Sequence, residues 1–187
     1  MSETDLIRRA QAGDGAAWEA LVQTHQQAVF RLAYLFLGDA DQAEDVAQDA
    51  FIRAYHALSR FDISRPFRPW LMSIAANLAR NQRRSAGRYL AAMRRAFQDS
   101  PSPTIDIEAS AAQNWEAQSL WQAVRRLSYE DQQVIYFRYF IELSVDETAA
   151  ALGVPEGTVK SRLHRALNRL RAVIDREYPS IKEGRLL

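Results

Sequence analysis

The chain has 187 residues, 48% of them hydrophobic, which is enough to build one large core or two small ones. It has no cysteine, so disulfides and cysteine-based zinc or redox sites are excluded. The 24 basic and 23 acidic side chains leave a net charge of +1. Residues 1–88 and 115–187 each hold 11 basic and 10 acidic groups, so charge is sorted into faces within each half rather than between them.

The first residues lack a basic leader followed by an apolar run, so no signal peptide is expected. No stretch approaches the 18 or so apolar residues that a membrane span needs. A cytoplasmic protein is the expectation. Residues 4–12 predict a short helix, with Leu6, Ile7 and Ala10 on one side, broken by Gly13, Asp14 and Gly15. A longer helix over about 16–37 carries the apolar stripe Trp18, Leu21, Val22, Ala28, Val29, Leu32 and Phe36 and ends at Gly38. His25 lies close to that stripe. It reads as a partly buried structural histidine, since no second ligand stands at metal spacing.

Acids cluster at the start of the next helix, about 41–60, where the helix dipole favours them. Ala43, Val46, Ala47, Ala50, Ala54 and Leu58 form its core stripe, with Phe51, Tyr55 and Phe61 alongside. Asp41, Glu44, Asp45 and Asp49 lie outside, either as a solvated face or as a contact surface. Residues 60–70 form a loop fixed by Pro66 and Pro69, mixing Arg60, Arg65 and Arg68 with Phe61, Phe67 and Trp70. That mixture suits unpaired nucleic acid, where arginine takes phosphates and apolar walls hold bases. Phe67 and Trp70 equally suit the core at a helix start, and for Trp70 the core reading is preferred. The helix after it, about 69–85, turns Leu71, Ile74, Ala75 and Leu78 inward and gathers Asn77, Arg80, Asn81, Arg83 and Arg84 at its other face and end. Cations there complement a helix C-terminus. Asparagines among them favour nucleic acid, because amides address base edges.

Helix is expected again over 88–96. Two prolines, serines and acids then mark residues 97–113 as a linker, expected to be flexible. Beyond it, Trp115, Leu120, Trp121, Val124 and Leu127 predict an amphipathic helix. Ser128 caps another over 129–142.

Residues 144–174 are the most telling. Ser144 with Glu147 is a capping box that opens a short helix to Leu152. Gly153 supplies the positive φ that ends it, and Pro155 suits the first turn of a second helix. Ala149, Gly153 and Val159 stand at the small, turn and core positions of a helix-turn-helix. In the second helix Val159, Leu163, Ala166, Leu170 and Val173 recur at helical steps, so one stripe is buried. Lys160, Ser161, His164, Arg165, Asn168 and Arg169 point elsewhere, and residues 160–171 hold five Lys or Arg and no acid. A helix of this length places its first two turns in a major groove with ease. The tail after Ile174 is expected to fray.

The expected fold is therefore all-α: two small helical domains, 1–96 and 114–187, joined by the linker 97–113, the second domain a helix-turn-helix. On residues 128–174 alone, an ordinary helix-turn-helix activator or repressor fits as well. A hydrolase using acids such as Glu44 and Asp49 lacks a nucleophile–base pairing or a glycine-rich phosphate loop.

Three stretches together resemble the extracytoplasmic-function sigma factors, the smallest bacterial RNA polymerase sigma subunits. Residues 41–55 look like the helix that grips the clamp of core polymerase, 67–81 like the element that opens the minus 10 region, and 153–166 like the minus 35 reader. The resemblance implies roles residue by residue. Asp45, Asp49 and Arg53 would contact polymerase. Arg65, Phe67 and Arg68 would belong to a collar for an extruded base, with Asn77, Arg80, Asn81 and Arg84 beneath it. Lys160, Ser161, His164 and Arg165 would meet the major groove, with Thr158 and Arg162 toward the backbone. It also implies core polymerase, promoter DNA and an anti-sigma factor as partners. No catalytic residue, metal, cofactor, small-molecule substrate or direct membrane insertion is expected.

Overall fold

The computed structural model describes residues 2–96 and 115–178, and every regular element among them is helical. The expected linker and the end of the tail lie outside the described residues. The first bundle comprises α1 (Glu3–Gln11), α2 (Gly15–Leu37), α3 (Ala40–Leu58) and α4 (Phe67–Ala96). The second comprises α5 (Trp115–Arg125), α6 (Tyr129–Ile135) with a π turn (Tyr136–Phe140), α7 (Val145–Leu152) and α8 (Glu156–Glu177).

Local chemistry sets these boundaries. Asp14 caps α2 by accepting from the N–H groups of Ala16 and Ala17, and Gly38 ends it at φ 75°. Asp39 caps α3 through the N–H of Gln42. In α7 both halves of the capping box are made: Ser144 N–H donates to Glu147 Oε2 at 2.8 Å, and Glu147 N–H donates to Ser144 Oγ at 3.2 Å. Gly153 sits at φ 65°, its N–H on the carbonyl of Ala149.

Several boundaries depart from expectation. α4 begins at Phe67, so Pro69 falls in its first turn, where a missing N–H costs nothing. The same helix runs unbroken to Ala96, joining the helices expected over 69–85 and 88–96. Pro155 is the residue before α8 rather than within its first turn, and α8 continues past Ile174 to Glu177. The helix expected over 129–142 changes to π geometry at Tyr136. Val134, Ile135, Tyr136 and Phe137 are consecutive and all buried, a demand that one stripe of a regular α-helix does not meet. The wider turn serves both sides, and Glu142 at φ 59° closes it.

The bundles pack on one another and share one continuous core. Tyr34 of α2 stacks on Trp121 of α5 with ring centres 5.8 Å apart, and Trp121 Nε1–H donates to the Leu35 carbonyl. Phe36 stacks on Tyr129 and meets Tyr136 edge-on. Tyr129 donates its hydroxyl to the Ala76 carbonyl at 2.7 Å, and burial pushes its pKa up. The Arg125 guanidinium covers Trp121 and lies over Gly38, where a Cβ would collide with it.

Candidate nucleic-acid interface

On α8 the buried side is Val159, Ala166 and Leu170, with Leu163 and Val173 partly covered. This stripe docks the helix on α5, α6 and α7. Lys160, Ser161, His164 and Arg165 are consequently exposed together, while Thr158 and Arg162 are half-buried at the margin. Each exposed side chain is held loosely. Lys160 reaches Glu156 at 3.9 Å, Arg165 Nε donates to the Ser161 carbonyl at 3.3 Å, and the Asn168 amide lies 3.1 Å from the His164 ring. Exposed pairs of this kind are weak and exchange readily for a better acceptor. The result is a row of exposed hydrogen-bond donors along one face of α8.

A second donor stripe lies on α4. Asn77, Arg80, Asn81 and Arg84 follow at steps of three and four and are all exposed. Arg80 already has neighbours on α6: Glu130 at 3.5 Å and the Tyr129 ring at 5.0 Å. Arg83, at the same end of α4, donates to Gln132 Oε1 at 2.8 Å. Arg83 stands in the basic run at the end of the helix but outside the residues that the resemblance assigns to the minus 10 element.

The loop before α4 divides differently from expectation. Arg65 is exposed. Phe67, expected as part of a base collar, is 1% exposed. Its ring is enclosed by Phe61, Trp70 and His25, with centres 5.4–5.6 Å away. Phe67 is thus a core residue that fixes the loop, and in this arrangement its ring presents no wall to a base. Arg68 Nη2–H donates to the Ile141 carbonyl at 2.6 Å, tying the loop to the second bundle. Trp70 joins the aromatic cluster, as preferred from sequence. His25 is buried and bonded to Glu3 at 2.8 Å, a structural arrangement.

On α3, Asp45, Asp49 and Arg53 form one exposed stripe at four-residue steps. Beside it stand Ile52 and Tyr55, which are 55% and 48% exposed. Sequence reading placed Tyr55 beside the core and missed the pair: Tyr55 lies at the edge of the apolar stripe, and Ile52 lies nearly opposite it among the charged positions. A groove lined by Gln23, Gln27, Phe30, Glu44, Gln48 and Phe51 runs between α2 and α3 next to them. Charged and apolar groups side by side on a rigid helix suit a protein partner. No cluster of metal-ligating side chains and no helix long and apolar enough to cross a membrane occurs among the described residues.

Residues 21–89 match the family Sigma-70 region 2, and residues 117–170 match Sigma-70, region 4. The chain is 33% identical over 177 residues to the ECF RNA polymerase sigma factor SigW of Bacillus subtilis, covering 88% of this chain and 92% of that one. It is 36% identical over 170 residues to the ECF RNA polymerase sigma factor SigL of Mycobacterium tuberculosis, covering 90% and 94%. Among solved structures, CnrH in complex with the cytosolic domain of CnrY superposes with a TM-score of 0.73 at 28% identity, over 94% of this chain and 98% of that chain. The sigma factor RpoE in complex with the anti-sigma factor NepR, from Bartonella quintana, gives 0.64 at 25% identity, over 85% and 97%. Regions 2 and 4 in this order, on a chain whose described elements are all helical, define a transcription initiation factor that recognises promoters. Within that class, the chain belongs to the extracytoplasmic-function family of RNA polymerase sigma factors.

Proposed function

We propose that the chain divides promoter recognition between its two bundles. α8 reads the minus 35 element as duplex, with Lys160, Ser161, His164 and Arg165 on base edges and Thr158 and Arg162 toward the backbone. α4 captures the minus 10 strand through Asn77, Arg80, Asn81 and Arg84, with Arg65 and Arg68 at its entrance. The observation that carries this reading is the shared exposure of the four groove-facing side chains on a helix whose opposite stripe is buried. Extruding a base costs a few kcal/mol. A protein that hydrolyses nothing recovers that cost by holding the base and the backbone beside it.

Core polymerase is the partner that holds both bundles at the promoter, and Asp45, Asp49 and Arg53 are the residues that meet it. The working units are 1–96 and 114–187 with 97–113 between them, so two weak contacts add through effective concentration. An anti-sigma factor is the second partner. Support for it comes from CnrH and RpoE, whose solved structures are complexes with the cytosolic domain of CnrY and with the anti-sigma factor NepR. The protein works in the cytoplasm, uses no cofactor or small-molecule substrate, and catalyses nothing itself.

The test is transcription of a genomic library by core polymerase with and without the chain, with start sites mapped. Starts that depend on the chain and share two upstream elements are expected. Operator-like DNA binding indifferent to polymerase would instead favour an ordinary helix-turn-helix regulator.

A further inference from the structure

Asp131 is the only buried carboxylate among the described residues, at 3% exposure. A desolvated carboxylate is costly unless a partner neutralises it. Its partner is Arg169 of α8, with Nη1 2.6 Å from Oδ2. The two ends of this pair differ sharply, since the arginine side chain is 57% exposed and the aspartate side chain 4%. The carboxylate is enclosed where α6 packs on α8, and the guanidinium reaches it from the solvent side. A guanidinium has five N–H donors in a rigid fork, so holding one edge from below leaves donors directed at solvent.

The position of Arg169 gives those donors a target. Ser161, Arg165 and Arg169 follow at four-residue steps, so Arg169 continues the reading stripe. It lies nine residues past Lys160, about 13 Å along the axis at 1.5 Å per residue. The major groove is about 12 Å wide. With the first two turns of α8 inside the groove, Arg169 stands where the helix meets the groove wall, which is sugar-phosphate backbone.

We propose that Arg169 is a phosphate anchor and that buried Asp131 is its positioning residue. The pair fixes the register at which Lys160, Ser161, His164 and Arg165 meet base edges, and it rests on the minus 35 reading given above. Phosphate contacts carry no sequence information, yet they set the orientation that base contacts depend on. A pinned fork does this better than a mobile side chain, because less rotamer freedom is lost on binding.

Asp131 also stands in the first turn of α6, its N–H on Ser128 Oγ, where an acid suits the helix dipole. A role in starting that helix is the competing explanation, and the two separate experimentally. Holoenzyme assembled from core polymerase and the full chain is titrated with a promoter fragment obtained by start-site mapping and with the same fragment scrambled at minus 35. Thermal melts of the chain accompany each variant. For Asp131→Asn, the ratio of intact to scrambled affinity is expected to fall about tenfold. Affinity for the scrambled fragment should hold or rise, because the variant has one negative charge fewer. Arg169→Lys keeps the charge without the fork and should lose the same discrimination. Arg169→Ala should reduce the salt slope by about one. An unchanged ratio in a folded Asp131→Asn protein overturns the proposal, leaving only the helix-start role. If Asp131→Asn does not fold, an unchanged ratio in Arg169→Lys overturns it equally. A wild-type holoenzyme without preference for the intact fragment sinks the minus 35 reading itself, a distinct result.

Discussion

Arg165 and Asn77 make the two modes of recognition separately testable. Arg165 is exposed on α8, restrained only by the Ser161 carbonyl, and a bidentate arginine–guanine pair is worth about 1–3 kcal/mol of discrimination. Arg165→Ala is therefore expected to weaken minus 35 recognition about 5–150-fold while leaving association with core polymerase intact, as competition binding would show. Equal loss of both refutes the assignment. Asn77 leads the α4 stripe, and Asn77→Ala is expected to impair opening of duplex promoters while pre-melted templates are partly rescued. Permanganate reactivity of bubble thymines reports this, and unchanged reactivity counts against it. Residue positions on α8 were legible in the sequence, because helical periodicity alone separates a buried stripe from an exposed one. Phe67 was not legible. An aromatic side chain beside arginine suits both a base collar and a core, and only the enclosing rings of Phe61, Trp70 and His25 decide between them. Arg169 was seen as exposed, but its tie to Asp131, 38 residues away, has no local signature.

At the scale of elements, the helix ends built on a capping box or a glycine were readable, because capping chemistry is local, whereas the ends of α4 and α8 were not. The Ser144–Glu147 box and Gly153 appear as expected. Ser144→Ala should cost about 1 kcal/mol, seen as a melting temperature lower by roughly 3 °C. Acid should weaken the same helix start. The Ser144 hydroxyl donates to Asp146 and holds its carboxyl below the ordinary range. Hydrogen bonds from Ser2 to Asp5 and from Ser64 to Asp62 act alike, as does the Arg9 side chain on Asp14. Depressed folded-state values mean that this stabilisation is complete above the unfolded carboxylate pKa of about 3.9 and is lost as pH falls through the lower folded value. Thermal melts should be level from neutral pH to about 5 and decline below about 4; a decline already complete at pH 6 would contradict this. The π turn was not legible. It accommodates four consecutive buried residues, one of which, Tyr136, meets Phe36 of the other bundle, 100 residues away in the chain.

For the whole molecule, sequence yielded two helical units but not the surface they share, since Phe36 and Trp121 each read as the core of their own unit and Tyr34 and Tyr129 carried no signal. In the structure these aromatics join the bundles, and Arg80 and Arg83 of the α4 stripe already have partners on α6. Trp121→Ala removes a stack and a hydrogen bond from the joint, so small-angle scattering should record a larger radius of gyration with helix content preserved. An unchanged radius would show that other contacts suffice to hold the bundles together. Both recognition modes require one molecule to hold the bundles at their promoter sites, and the most direct measurement is co-elution of the purified chain with core RNA polymerase. A stoichiometric complex, weakened by charge reversal at Asp45 and Asp49, is the expected result. A chain that never associates with core polymerase, under conditions where its helices are intact, would contradict the account.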